Sequence, residues 1–411
     1  MQVALVTQNA DLELDLRPRA EAEALSRVGF DVTLVGGTRN PARLREITPA
    51  EVRIAWYPMP DEAGSAVGQM REQAVAFTRT ARTLIRLARR TGVDVIHASN
   101  PPDNAWLLIP LLRGVQGRAP RFVFDQHDVA PVLIAEKYGS AFPMRALAAA
   151  ARSLERRSFV AADLVVFANA EYERRAADEG LLRSDCVVAP NGWSLPDAPT
   201  RSDWRDGATH LIAYVGAINE QDCLDHLVEA IALLPERDDV RVCVAGDGAA
   251  RLPAERLTHE LGIAGSFRWL GWVRDRREIA SLVRSADVCV APELDSPFNR
   301  LASFVKLVEY MSAGAATVAH RLAQNERLCA DTVAYADDMS DVGLALAISR
   351  VLADRGQAEE LGAAARERFQ SRLQWSTAGE PALVAAYTGA FRGSVHSRDH
   401  LALNGAGQAV A

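Results

Sequence analysis

Short apolar runs alternate with stretches of 3.6-residue period along most of this 411-residue chain. In the first half, 2–7, 31–35, 93–97, 122–125, 163–168 and 187–188 read as strands, the second closed by Gly36-Gly37. Helical periodicity covers 18–28 (ending at Gly29), 71–90, 143–160 and 170–179, and Asn100-Pro-Pro-Asp103 opens a further helix with Asp103 as its cap. Strand–helix alternation with short connections predicts a parallel, doubly wound sheet, whose ligands belong outside the strand carboxyl ends.

Periodicity fades over 190–207, where Pro, Gly, Asp and Ser accumulate as in an inter-domain connection. The pattern then restarts, with strands at 210–215, 240–245 and 267–270 and helices at 223–234, 251–261 and 274–285. A strand at 287–291, a turn at 292–297, a helix capped by Asn299 and stopped at Gly314, and a strand at 315–319 follow. A last strand near 332–335 and helices near 341–353, 358–370 and 377–391 complete the pattern. The predicted fold class is α/β, two Rossmann-like doubly wound domains facing a cleft, over 1–195 and 208–375. A C-terminal helix over 376–392 could cross back to the first domain, and the polar, Gly/Ala-rich 393–411 is expected to be disordered.

The 299–313 helix gathers candidate chemistry. On a helical wheel Leu301, Phe304, Val305, Val308 and Ser312 share the face that should pack on the sheet, with Lys306 and Glu309 to one side. A helix N-terminus carries unpaired N–H groups and about half a positive charge, which suits phosphate. Arg300 falls in that first turn and Lys306 one or two turns on, while Glu309 can accept two hydrogen bonds from a ribose diol. An exposed Lys306–Glu309 ion pair is the plainer reading of the same spacing. Gly216 and Gly246, each just past a strand, either let backbone amides approach a ligand or make tight turns.

In the first half, Asn100 and Asp103 of one segment and Gln126-His127-Asp128 of the next sit past successive strands, so they are expected to face the same cleft from the other side. His127 could take a proton or bond a sugar hydroxyl, or be satisfied by neighbouring backbone. Asp128 could instead cap the segment that follows, and His97 reads as core. There is no G-x-S-x-G elbow for a serine hydrolase and no G-x-x-x-x-G-K-[ST] loop for an ATPase.

Composition narrows the partners. Hydrophobic content of 49% and charged content of 24% fit a globular enzyme, and a net charge of −7 gives no basic field for nucleic acid. Basic stretches at 79–90 and 152–157 could touch anionic lipid at the inner membrane surface, although solvated helix faces also account for them. The five cysteines are scattered without a C-x-x-C pair, so neither disulfides nor a zinc site are expected, and a cytoplasmic setting is. Met1 leads straight into a strand, so no signal peptide is expected, and no apolar run approaches ~20 residues.

Asn100-Pro-Pro-Asp103, Phe124-Asp-Gln-His-Asp-Val-Ala-Pro131, Gln221-Asp222 and Lys306-Leu-Val-Glu-Tyr-Met311 together resemble the GT-B-fold glycosyltransferases of family 4. This is the retaining, nucleotide-sugar-dependent, glycogen-synthase-like group 1, and the motifs resemble a bacterial branch of it. The resemblance runs to about Phe391. It implies that Glu309 binds the donor ribose, Lys306 supports the diphosphate, Gly216 and the Gln221 segment approach the phosphates, and His127 lines the reaction cleft. It implies a nucleoside-diphosphate sugar as co-substrate, UDP- ahead of GDP- or dTDP-, with a hydroxyl acceptor and no resident cofactor or metal. The resulting expectation is a hexosyltransferase of cell-surface polysaccharide, lipid-carrier or natural-product synthesis.

Three positions depart from the family pattern. Leu301 stands where the first carboxylate of an E-x7-E pair is usual, and Ala217 and Asp222 stand near the usual Arg and Lys. Arg300, Lys306, Arg17 or Arg19 would have to supply the missing cations, and 11–19 replaces the usual Gly-Gly donor loop. These departures keep two other readings open: a non-catalytic partner subunit of the same fold, and a nucleotide-sugar epimerase or hydrolase.

Overall fold

A computed structural model describes residues 1–60, 66–138, 142–235 and 237–392; the tail expected to be disordered, 393–411, lies outside these. The chain divides into two units, one of Met1–Ala189 with the residues from Gly379 onward, the other Pro190–Ala378.

The first unit is built on seven parallel strands, β1 (Gln2–Thr7), β2 (Asp31–Thr38), β3 (Arg53–Pro58), β4 (Val95–Ser99), β5 (Arg121–Gln126), β6 (Leu164–Phe167) and β7 (Asp185–Val188). Their order is β3-β2-β1-β4-β5-β6-β7, with Val3 opposite both Val32 and Val95. The central strands are covered on both faces, which is why they read as continuous apolar runs. β3 escapes a sequence reading because it is an edge strand that leaves Trp56 exposed and mixes Arg, Trp and Pro. β2 runs through Gly36-Gly37 instead of closing there: a Cβ at Gly36 would lie 2.8 Å from the Thr7 carbonyl oxygen. The helix after β4 begins at Leu108, behind a single 3-10 turn led by Asn104, so Asp103 is not its cap. The Gly379–Tyr387 helix packs on β7 and on the Leu16–Arg27 helix, with Tyr387 fully buried against Phe30, His97 and Phe391.

The second unit has six parallel strands, β8 (His210–Val215), β9 (Val240–Ala245), β10 (Phe267–Gly271), β11 (Val288–Ala291), β12 (Thr317–Ala319) and β13 (Ala334–Tyr335), ordered β10-β9-β8-β11-β12-β13. Its sheet separates two cores, one around Ile212, Val228, Val242 and Leu344, the other around Leu211, Cys243, Leu282 and Tyr310.

The helix expected from Asn299 starts at Val305. Phe298–Leu301 instead forms a turn closed by Arg300 N–H to Ser296 O and Ala302 N–H to Phe298 O. The Asn299 amide nitrogen holds that turn by donating to Gln221 O and Leu294 O, both at 2.9 Å, while its Oδ1 takes no helix amide and the helix begins only at Val305. Nor does one apolar face meet the sheet. Every residue from Lys306 to Ala313 is buried, while Val305, placed on the buried face by its spacing, is exposed. The Arg355–Arg368 helix covers the side that a surface helix would leave to water. Gly314 ends it in the left-handed region, φ 73°. No described helix is long and apolar enough to cross a membrane.

Candidate functional site

In the second unit, the loops after β8, β9 and β11 converge with the start of the Val305–Ala313 helix. That helix has no side-chain cap, so its first amides keep the anion-binding character of a helix N-terminus. Gly216 follows β8 with φ 148°, and a Cβ there would stand 3.0 Å from Lys306 Cε. Gly246 follows β9 so closely behind that a Cβ would fall 1.8 Å from the Gly216 carbonyl oxygen. The glycine at 246 is therefore demanded by loop-on-loop packing, and the glycine at 216 by contact with Lys306.

Lys306 lies in the first helical turn and is buried. Its ammonium donates to Tyr214 Oη at 2.8 Å, to Asp222 Oδ1 at 3.1 Å, and to Glu293. Burial opposes its charge, but Glu293, Tyr214 and Asp222 more than offset that and hold it well above the usual lysine range. Burial raises the Glu293 carboxyl in turn, with Lys306 working against the rise. The exposed Lys306–Glu309 ion pair does not form. Glu309 accepts instead from Arg276 Nη1 at 2.9 Å, and burial raises its carboxyl while Arg276 opposes this. Arg276 opens the Arg276–Ser285 helix beside its cap, Asp275, and is 36% exposed.

Among the other donor-side expectations, Gln221 meets Asn299 through its backbone carbonyl. Arg300 is corrected: it lies outside the helix, exposed and paired with Asp295 at 2.6 Å, because the turn at 298–301 carries it away. Arg17 and Arg19 are also committed elsewhere. Arg19 donates to Leu12 O and to Glu13 O, the latter at 2.6 Å. Arg17 is buried in the first unit.

There, a compact polar cluster sits at the ends of β4 and β5. Arg17 binds the Asp125 carboxylate through Nη2 at 2.9 Å and Nε at 3.2 Å, donates to Ala189 O at 2.7 Å, and pairs with Glu21. Burial alone would raise Asp125, but Arg17 and His127 hold it well below the usual carboxylate range. Burial, then Asp125 alongside, push Glu21 well up, and burial lowers His97. His97 Nδ1 meets Tyr387 Oη at 2.6 Å. Glu21, Asp125 and His127 offer metal-type ligand atoms within 4.8 Å of one another, yet the Arg17 guanidinium already supplies the cation for both carboxylates.

His127 bonds the Asp125 carboxylate through Nε2, so its ring is not satisfied by backbone. Asn100 braces the segment: Oδ1 accepts from the His127 and Asp128 amides at 2.6 and 3.1 Å, and Nδ2 donates to Asp103 Oδ1 and Asp128 O, each at 2.8 Å. With all these bonds made inside a buried residue, Asn100 shapes the loop that carries His127 and Asp128. Burial pushes Asp103 up to about 7 against Asn100, and Asp128 up to about 6 against His127.

Two family models match this chain, Glycosyltransferase Family 4 over residues 19–195 and Glycosyl transferases group 1 over 209–354. The chain belongs to the group 1, family 4 glycosyltransferases. Among relatives in this family, the GDP-mannose-dependent alpha-(1-6)-phosphatidylinositol dimannoside mannosyltransferase of Mycobacterium tuberculosis is 28% identical over 231 residues. That match takes in 52% of this chain and 57% of the relative, so the chain spans little more than half of the relative's length. The fold is that of solved GT-B enzymes. Sucrose-phosphate synthase from Thermosynechococcus elongatus superposes with a TM-score of 0.72 at 19% identity, over 96% of this chain and 99% of that one. Anabaena HepE in complex with UDP-glucose gives 0.67 at 16% identity, over 95% and 100%.

Sequence reading missed Arg276, Glu293, Tyr214 and the Arg17–Glu21–Asp125 cluster. Asp125 carried a signal: a charge within the apolar run of a buried strand needs a partner. Arg276 carried none, as one of four arginines within 268–277.

Proposed function

We propose that this chain is a retaining glycosyltransferase, moving a sugar from a nucleoside diphosphate to a hydroxyl on a polysaccharide precursor, lipid carrier or natural product. The observation that supports it most is Glu309. This buried carboxylate sits one helical turn past an uncapped helix N-terminus and is balanced by a partly exposed arginine, Arg276. A ribose diol can donate to Glu309 while the diphosphate takes the free helix amides and the Gly216 loop, with Arg276 and Lys306 as the nearby cations.

In the transfer, the sugar C1–O bond to the diphosphate breaks and a C1–O bond to the acceptor forms on the same face. The acceptor proton passes to the leaving diphosphate oxygen, so no protein nucleophile is needed. The protein contributes positioning and charge stabilisation. His127 serves the acceptor side, with Asp128 next to it and Asp103 joined to the same loop through Asn100. Mannose carried on GDP, as in the name of the mycobacterial relative, and UDP-sugars, as in the HepE complex, are the donors to try first.

Calorimetric titration with UDP-, GDP- and dTDP-sugars tests the reading, and failure to bind any of them sinks it. The neutralisation of Lys306 by Glu293 and Asp222 favours a second reading, a non-catalytic partner subunit. That reading predicts no turnover and no effect of Glu309→Ala.

A further inference from the structure

We infer that Asp125, itself held by Arg17, is a positioning residue that fixes His127 in the tautomer carrying its proton on Nε2, leaving Nδ1 as the bare nitrogen. The chemistry follows from what each atom can do. Asp125 is an ionised acceptor, so the ring atom against it must be the one bearing hydrogen. Asp125 cannot turn to satisfy another tautomer, because Arg17 grips both of its oxygens and is anchored on Ala189 O. His127 cannot slide either, since its backbone amide is tied to Asn100 Oδ1 at 2.6 Å. Asp125 lies in the strand and His127 just past its last residue, Gln126, so the chain's bend at 127 brings the ring onto the Asp125 carboxylate.

Nδ1 is then the nitrogen left to work. Among the described residues it has no hydrogen-bond partner, and the ring is 18% exposed, whereas Asp125 is sealed off. A bare imidazole nitrogen at the edge of a sealed ion pair accepts a hydrogen bond from a hydroxyl. On the glycosyltransferase reading, on which this role rests, that hydroxyl belongs to the sugar or the acceptor.

The test uses the full chain labelled with 15N-histidine, observed by long-range 15N–1H correlation at about pH 8, where an ordinary imidazole is neutral. His127→Gln identifies the His127 signals by their loss. Wild-type protein is expected to show Nε2 protonated and Nδ1 bare; the reverse tautomer, or an even mixture, overturns the assignment. Asp125→Asn is expected to shift His127 toward a mixture and to lower kcat for donor turnover about 10- to 100-fold with little change in donor KM. An unchanged tautomer in that variant also overturns it. If Asp125→Asn does not fold, the wild-type spectrum still decides. If no nucleotide sugar binds at all, the glycosyltransferase reading falls while the tautomer result stands.

Discussion

Lys306 Nζ lies 3.1 Å from Asp222 Oδ1, tying the first turn of the Val305–Ala313 helix to the loop after β8. The cation at this loop comes from the helix and carries its own counter-ions, Asp222 and Glu293. With Glu293 also on the ammonium, the cluster is held as a unit, and charge there cannot be removed one residue at a time.

Lys306→Met is expected to destabilise the second unit by about 3–5 kcal/mol, because it strands buried carboxylates without a cation. Combining it with Glu293→Met should recover much of the loss. Thermal unfolding of the two variants checks this, and a single variant as stable as wild type would show that the cluster is not coupled.

Arg276→Ala leaves Glu309 buried without its cation. Burial raises the Glu309 carboxyl and Arg276 opposes the rise, so losing Arg276 raises it further. The variant carboxyl holds its proton to higher pH and accepts ribose hydroxyls poorly. Binding of UDP or GDP is expected to weaken about 10-fold, and more at pH 6 than at pH 8. Calorimetry at both pH values reads the ratio; a deficit independent of pH would mean that Arg276 acts only as a phosphate cation.

Asp103 and Asp128 should each subtract stability from the first unit as pH rises from about 4 to about 7. Asp103 and Asp128 have folded values of about 7 and about 6 against the ordinary 3.8. Below 3.8 both states hold these protons; above it the unfolded chain releases them first, and the fold's advantage shrinks until the folded groups ionise too. Asp103 alone contributes up to about 4 kcal/mol of this slope. Asp103→Asn should flatten the unfolding midpoint against pH over that window, and an unaltered slope would reject the assignment.

Gly246→Ala should lower the unfolding midpoint sharply and abolish nucleotide binding, since the added methyl would fall 1.8 Å from Gly216 O and push the two loops apart. Gly265→Ala, which has open space around the same atom, is the control expected to leave both unchanged.

All strands but β3 were legible because a buried parallel strand leaves a short apolar run that depends on nothing distant. β8, β9 and the Asp341–Ala353 helix fall where periodicity puts them. The helices Ala130–Tyr138 and Ala323–Cys329 were not foreseen, being short and weakly patterned, as β3 was not, being at an edge. The start of the Val305–Ala313 helix was misread because Asn299, a strong capping residue, lies in a separate turn that Gln221, far away in sequence, helps to hold.

What the sequence determined by itself was therefore the alternation, the two sheets and the short list of polar residues past their strand ends. Local pattern records burial and backbone preference, and both are written within a few residues. The tertiary structure alone decided which charge meets which: Lys306 with Asp222 and Glu293, Glu309 with Arg276, and His127 with an aspartate gripped by Arg17. Three-residue spacing on a helix offered Lys306 and Glu309 to each other. The desolvated carboxylates brought to Lys306 by neighbouring strand ends bind it more strongly, because charge interactions strengthen where water is excluded and the fold sets who is near.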